Sequence, residues 1–110
     1  MTKKYASPVV IAVGIVLIGL TAAHAAERSS AAISVKEFKF APSVLTVRVG
    51  TTVTWTNRDE ETHTVTSATG AFASAGLGHE EGFSETFTRP GRYEYFCALH
   101  PHMKATLIVR

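Results

Sequence analysis

Side chains alternate between apolar and polar along most of this chain, and that period of two constrains the fold more than any other feature. Ile33 and Val35 begin the pattern, and Leu45, Val47 and Val49 continue it. Val53 and Trp55 follow, then Phe83, Glu85 and Phe87, then Tyr93, Tyr95 and Cys97, and finally Ala105, Leu107 and Val109. Successive side chains of a strand point to opposite faces, so each run reads as a half-buried strand. Residues that favour bends separate the runs: Ala41-Pro42-Ser43, Val49-Gly50-Thr51, Asn57-Arg58-Asp59 and Arg89-Pro90-Gly91. No helical periodicity persists after the first 25 residues. About seven short strands with turns every 8 to 12 residues predict an all-β fold, a two-sheet antiparallel sandwich with Greek-key connections. Residues 67–82, rich in Ala, Gly and Ser, break the rhythm and are expected to form a mobile surface loop.

The N-terminus is built differently. Lys3 and Lys4 precede an apolar run over residues 9–20, and Ala23-His24-Ala25 then stands before Ala26. A charged start, an apolar middle and small residues at the end make the layout of a secretory signal, so residues 1–25 are expected to be a cleaved signal peptide and residues 26–110 one domain. A retained anchor is the alternative, but a run of this length falls short of the roughly 18 residues that a spanning helix needs. Export places the domain in the periplasm, soluble and without a membrane attachment. Cleavage also removes Lys3 and Lys4, which leaves nine basic residues against nine acidic ones. A neutral domain has little to offer a polyanion, so a nucleic-acid partner is set aside.

In an oxidising compartment the single cysteine, Cys97, lacks a partner with which to pair. Its surroundings offer another use. The segment reads Cys97-Ala98-Leu99-His100-Pro101-His102-Met103, a C-x-x-H-x-x-M pattern at the end of a strand. Thiolate, imidazole and thioether are the soft and borderline donors that copper prefers, and a short loop turning about a point can aim all three inwards. A fourth donor should come from a separate loop, where the whole sandwich holds it, and His63, between two strands, is the candidate. His102 is next to a better-spaced set. His79, beside Glu80 and Glu81, reads as a solvated surface residue. Asp59, Glu60 and Glu61 read as a solvated acidic turn, and Phe38 and Phe40 as packing at the sandwich edge.

These residues resemble a cupredoxin, a type 1 blue copper protein, and within that family the amicyanin branch. The resemblance rests on the short Cys97-x-x-His100-x-x-Met103 loop and on Val53-Thr54-Trp55-Thr56-Asn57 ahead of His63. It implies one copper ion cycling between Cu(I) and Cu(II), with His63, Cys97 and His100 as strong ligands and Met103 as the weak axial one. It also implies a monomeric periplasmic electron carrier, not an enzyme, working between redox proteins such as a periplasmic dehydrogenase and a c-type cytochrome. Two positions depart from the family: Thr64 stands where asparagine usually ties the ligand loops together, and Ala98-Leu99 stands where Thr-Pro is common. His100, ringed by Leu99, Pro101 and Ala98, is the expected exit for the electron. Copper storage or delivery is the competing reading, since the same donors would serve it. A fragment of an oxidase or nitrite reductase would need a further histidine-rich centre, for which four histidines after residue 25 leave too little material.

Overall fold

The computed structural model describes residues 29–110, together with Lys4, Ala12 and Gly14; the expected signal peptide over residues 1–25 otherwise lies outside the described residues. Eight strands follow in order: β1 (Ser30–Lys36), β2 (Lys39–Ala41), β3 (Val44–Val47), β4 (Thr51–Asn57), β5 (Thr66–Ser67), β6 (Gly82–Phe87), β7 (Gly91–Cys97) and β8 (His100–Val109). They form two four-stranded sheets, with strand orders β2-β1-β4-β6 and β3-β8-β7-β5. The all-β sandwich is as expected, but the sheets are mixed and not purely antiparallel. β1 runs parallel to β4, with Ser30 opposite Thr52, and β3 runs parallel to β8, with Val44 opposite Thr106. Alternation reports which face a side chain occupies and carries no information about the direction of the neighbouring strand, so the sequence pattern could not reveal these pairs.

The core forms where the inward rows of the two sheets meet. β4 is buried at every second residue, through Thr51, Val53, Trp55 and Asn57. β8 contributes Met103, Ala105, Leu107 and Val109, and β7 contributes Tyr95 and Cys97. The Trp55 ring lies edge-on to Tyr95 at 5.5 Å and stacks on Phe72 at 5.8 Å, so the two sheets interlock through aromatic contact. Burying each such ring is worth about 1.5–3 kcal/mol or more of transfer free energy.

The segment expected to be a mobile loop is ordered by the same core. Phe72 and Leu77 are buried, and bridges pair Thr66 with Ala73 and His63 with Leu77. Small residues between those two anchors let the backbone lie close to β5 and the 58–65 loop, which is why the composition misled.

Candidate metal centre

Two inward rows run out at the same end of the sandwich, and the residues that finish them are polar. After Val53 and Trp55 the next inward position of β4 is Asn57, and after Tyr95 the next on β7 is Cys97; both are fully buried. Asn57 organises the loops at that end. Its amide donates to the carbonyls of Glu61 at 2.7 Å and Leu77 at 2.8 Å, and its side-chain oxygen accepts the Asp59 N–H at 2.9 Å. With the 58–63 loop so tied, His63 lies flat against Leu77 through two backbone hydrogen bonds of 3.1 and 2.7 Å.

The Nδ1 of His63 then stands 3.7 Å from Cys97 Sγ, and the Nδ1 of His100 stands 3.7 Å from the same sulfur. All three atoms lie within 4.8 Å of one another. An ion held about 2.0–2.3 Å from sulfur and nitrogen donors in a trigonal plane separates those donors by about 3.6 Å. The observed spacing is therefore that of ligands around one metal ion, and too long for strong hydrogen bonds between them. Among the described residues no other set of histidine, cysteine and acidic side chains converges in this way.

Met103, three residues beyond His100, is buried beside this end of the core. His102 is exposed, its ring 6.4 Å from that of His100, and stands apart from the cluster. His79 also stands outside it, half-exposed, with Nδ1 at 3.1 Å from the Asp59 carbonyl and glutamates on either side.

The sulfur is prepared for its role as an anion. Burial alone would raise the Cys97 pKa. The Thr64 N–H, which reaches Sγ at 3.3 Å, together with the two imidazoles and the Leu99 N–H, outweighs burial and brings it from 9.0 down to about 6. Thr64 also replaces the missing asparagine: its hydroxyl accepts the Ala98 N–H at 2.7 Å, so the two ligand loops remain tied across the departure from the family pattern.

Three functional residues were not legible as such in the sequence. Besides Asn57, these are Asp59 and Phe38, which the sequence reading placed in a solvated turn and at the sandwich edge. Asp59 Oδ2 lies 2.8 Å from Nε2 of His63 and so fixes which ring nitrogen faces the sulfur. The same carboxylate accepts the N–H groups of Glu37 at 2.7 Å and Phe38 at 3.0 Å. Those two residues both have positive φ, 55° and 58°, a costly left-handed pair that aims successive N–H groups at one anion. Burial works to raise the Asp59 pKa, but these two N–H groups and His63 hold it below the ordinary carboxylate value. The strained turn has a result: the Phe38 ring meets both His63 and His100 edge-on, at 5.0 Å each. The single available signal was the four-residue step from Asp59 to His63, which the turn composition masked.

Fold, donor set and spacing together define a cupredoxin-like metal protein. The family model for the cupredoxin-like domain matches residues 9–109, and the chain belongs to that family. Within it the chain is amicyanin-like. It is 37% identical to amicyanin from Paracoccus denitrificans over 82 residues, which are 70% of this chain and 63% of that protein, so the match spans less than two thirds of that relative's length. It is 30% identical to amicyanin-alpha from Methylorubrum extorquens over 95 residues, covering 82% of this chain and 80% of the other. Among solved structures, a mutant of amicyanin in its reduced Cu(I) form is similar with a TM-score of 0.70 and 31% identity, over 74% of this chain and 82% of that one.

Proposed function

We infer that the domain is a type 1 copper protein that passes single electrons between partner proteins. The observation that carries this reading is the placement of one buried sulfur 3.7 Å from two imidazole nitrogens on separate loops. A soft thiolate with two imidazoles in a trigonal arrangement suits copper better than the harder divalent ions, and the amicyanin relatives support that choice. Cys97, His63 and His100 would hold the ion, with the buried Met103 as a weaker fourth donor. Copper in such a site supplies one-electron exchange between Cu(I) and Cu(II).

The protein's own contribution is to keep the donors still. Asp59 fixes the His63 ring, Thr64 ties Ala98, and Phe38 lies across both imidazole edges, so the donor set does not need to relax when the charge changes. The thiolate, withdrawn from solvent, is kept from oxidative coupling. Only His100 among the three is partly exposed, and around it Leu99, at 56% exposure, with Pro101 and Phe38 offers an apolar rim for brief encounters with redox partners. A buried and clamped donor set supports a carrier over a copper-delivery protein, which needs an exchangeable site, and over an enzyme, which needs an open one.

The reading extends to three further points. Residues 1–25 act as an export signal, which places the carrier in the periplasm. Its partners are a periplasmic dehydrogenase on one side and a c-type cytochrome on the other. The alternation of the chain between sheets, with β3 and β4 on opposite sides, is read as Greek-key connectivity.

Adding Cu(II) to the purified protein tests the central claim. We expect an intense blue thiolate charge-transfer band that is absent in Cys97→Ala; a colourless complex, or colour that survives that substitution, would overturn it. Rapid loss of copper to a chelator, without fast electron self-exchange, would favour delivery.

A further inference from the structure

The end of the sandwich opposite the metal centre carries a different chemistry. There the β3–β4 turn brings Arg48, the β6–β7 turn brings Arg89, the start of β7 brings Arg92, and Arg110 follows β8; all four are exposed. The backbone locks them into one region. Arg110 N–H donates to Val47 at 3.0 Å, Val49 N–H donates to Arg110 at 3.2 Å, and Gly50 N–H donates to Phe87 at 2.7 Å. Arg92 stands opposite Ile108, one step in from the pair formed by Gly91 and Val109. No acidic residue occupies these turns. The one ion pair that reaches the group among the described residues is Arg92 with Glu94, at 3.4 Å between two well-exposed side chains.

Part of the charge that balances these arginines is at the other end. Glu37, Asp59, Glu60, Glu61, Glu80 and Glu81 all lie on the loops around the metal centre, offset there by Lys36, Lys39, Lys104 and Arg58, the last paired with Glu80, while Glu85 and Glu94 stand part-way along β6 and β7. Seven-residue strands separate the two ends by roughly 20 Å. The near-zero net charge thus conceals a molecule with one basic pole and one predominantly acidic one.

Two further features belong to the basic pole. Val49, 45% exposed, stands at the tip of the β3–β4 turn between Arg48 and Gly50. The chain also enters the fold there, since Ser30 pairs with Thr52 at the far end of β4 and Ser29 accepts the Thr52 N–H at 3.0 Å. Ser29 therefore stands at the arginine end.

We propose that this arginine pole is a docking surface for an anionic phospholipid bilayer, on which the domain rests with the metal centre facing away. Arginine side chains near such a surface are attracted to lipid phosphates and to the negative surface potential, and an exposed apolar side chain among them can enter the headgroup layer. The acidic pole is repelled, so the same charge separation that binds the domain also orients it. Seated in this way, the carrier would meet partners by diffusion along a surface while His100 stays free for electron transfer. The length of the apolar run and its expected removal argue against a spanning anchor; the proposed contact is instead peripheral and rests on where the charge is placed.

The test uses the copper-loaded chain from Ala26 onwards, which contains both sheets and the whole core, in co-sedimentation with vesicles of phosphatidylcholine alone or mixed with phosphatidylglycerol. Binding should rise with the phosphatidylglycerol fraction and fall steeply with added salt. Each single substitution, Arg48→Gln, Arg89→Gln, Arg92→Gln or Arg110→Gln, should lower the partition coefficient about fivefold. The quadruple variant should bind no better than the native protein binds neutral vesicles, with its copper absorption unchanged; should it fail to hold copper, the single variants decide. Glu60→Gln with Glu61→Gln, at the opposite pole, should not weaken binding. Equal binding to neutral vesicles, no binding to anionic ones, or binding that survives loss of the arginines would overturn the proposal.

Discussion

His63 and His100 stand at the same distance from one sulfur, yet the two loops that carry them are built on opposite principles. His63 is fully buried, its second nitrogen is held by Asp59, and its backbone is paired with Leu77. His100 is partly exposed, sits at the start of β8, and has neighbours that are short or apolar. One histidine is fixed by the interior and the other is offered to the surface. A centre of this kind needs both: a ligand that cannot move gives the ion a defined geometry, and a ligand that reaches solvent gives the electron a route.

Removing each ring should expose this asymmetry most strongly. His63→Gly is expected to lose the blue colour without rescue by added imidazole, because no path leads from solvent into the vacated space. It should also destabilise the metal-free protein by about 2–4 kcal/mol, since Asp59 loses a partner. His100→Gly is expected to recover its colour when imidazole is supplied. Equal rescue of both variants, measured by absorption spectra, would erase the proposed distinction.

Next in size is the pH response of the metal-free protein. Because the folded protein holds the Cys97 thiol at about 6 against an ordinary 9.0, the native state binds fewer protons than the unfolded chain between those values. The resulting stability is fully present above the unfolded thiol pKa and is lost as pH falls towards about 6. Denaturant midpoints should decline over that window in the native protein and stay flatter in Cys97→Ser. Thiolate absorbance in the ultraviolet should titrate with the same midpoint.

Asp59→Ala should cost about 2–3 kcal/mol in thermal or chemical unfolding, because it leaves the left-handed Glu37–Phe38 pair without its anion and His63 without its clamp. It should also broaden the copper spectrum, which a purely structural loss elsewhere would not do. Thr64→Val should have the smallest effect, about 1 kcal/mol, by depriving the Ala98 N–H of its acceptor. Thr64→Asn should restore that link, and the recovered denaturant midpoint checks it.

The same contrast between interior and surface explains what could be read in advance. Cys97 and His100 were legible because a short loop concentrates rare donors, and His63 because the strand before it ends in a polar turn. Most strands were legible because alternation survives wherever one face is buried. β2 and β5 were missed because three residues and two residues are too few to establish a period. The parallel pairs were missed because register and direction depend on partners far along the chain. Asp59 and Phe38 escaped notice for a similar reason. Their roles arise only when the β1–β2 turn meets the 58–63 loop, and each residue by itself has the composition of an ordinary surface.

The pairing of β3 with β8 has a consequence for how the protein is made. Val44 finds Thr106 only after some sixty intervening residues have been synthesised, and contacts of such long range slow folding because a large loop must close first. The last strand is thus a latch. Until it has emerged from the ribosome the second sheet lacks one of its two inner strands, and β3 has no neighbour in that sheet with which to pair.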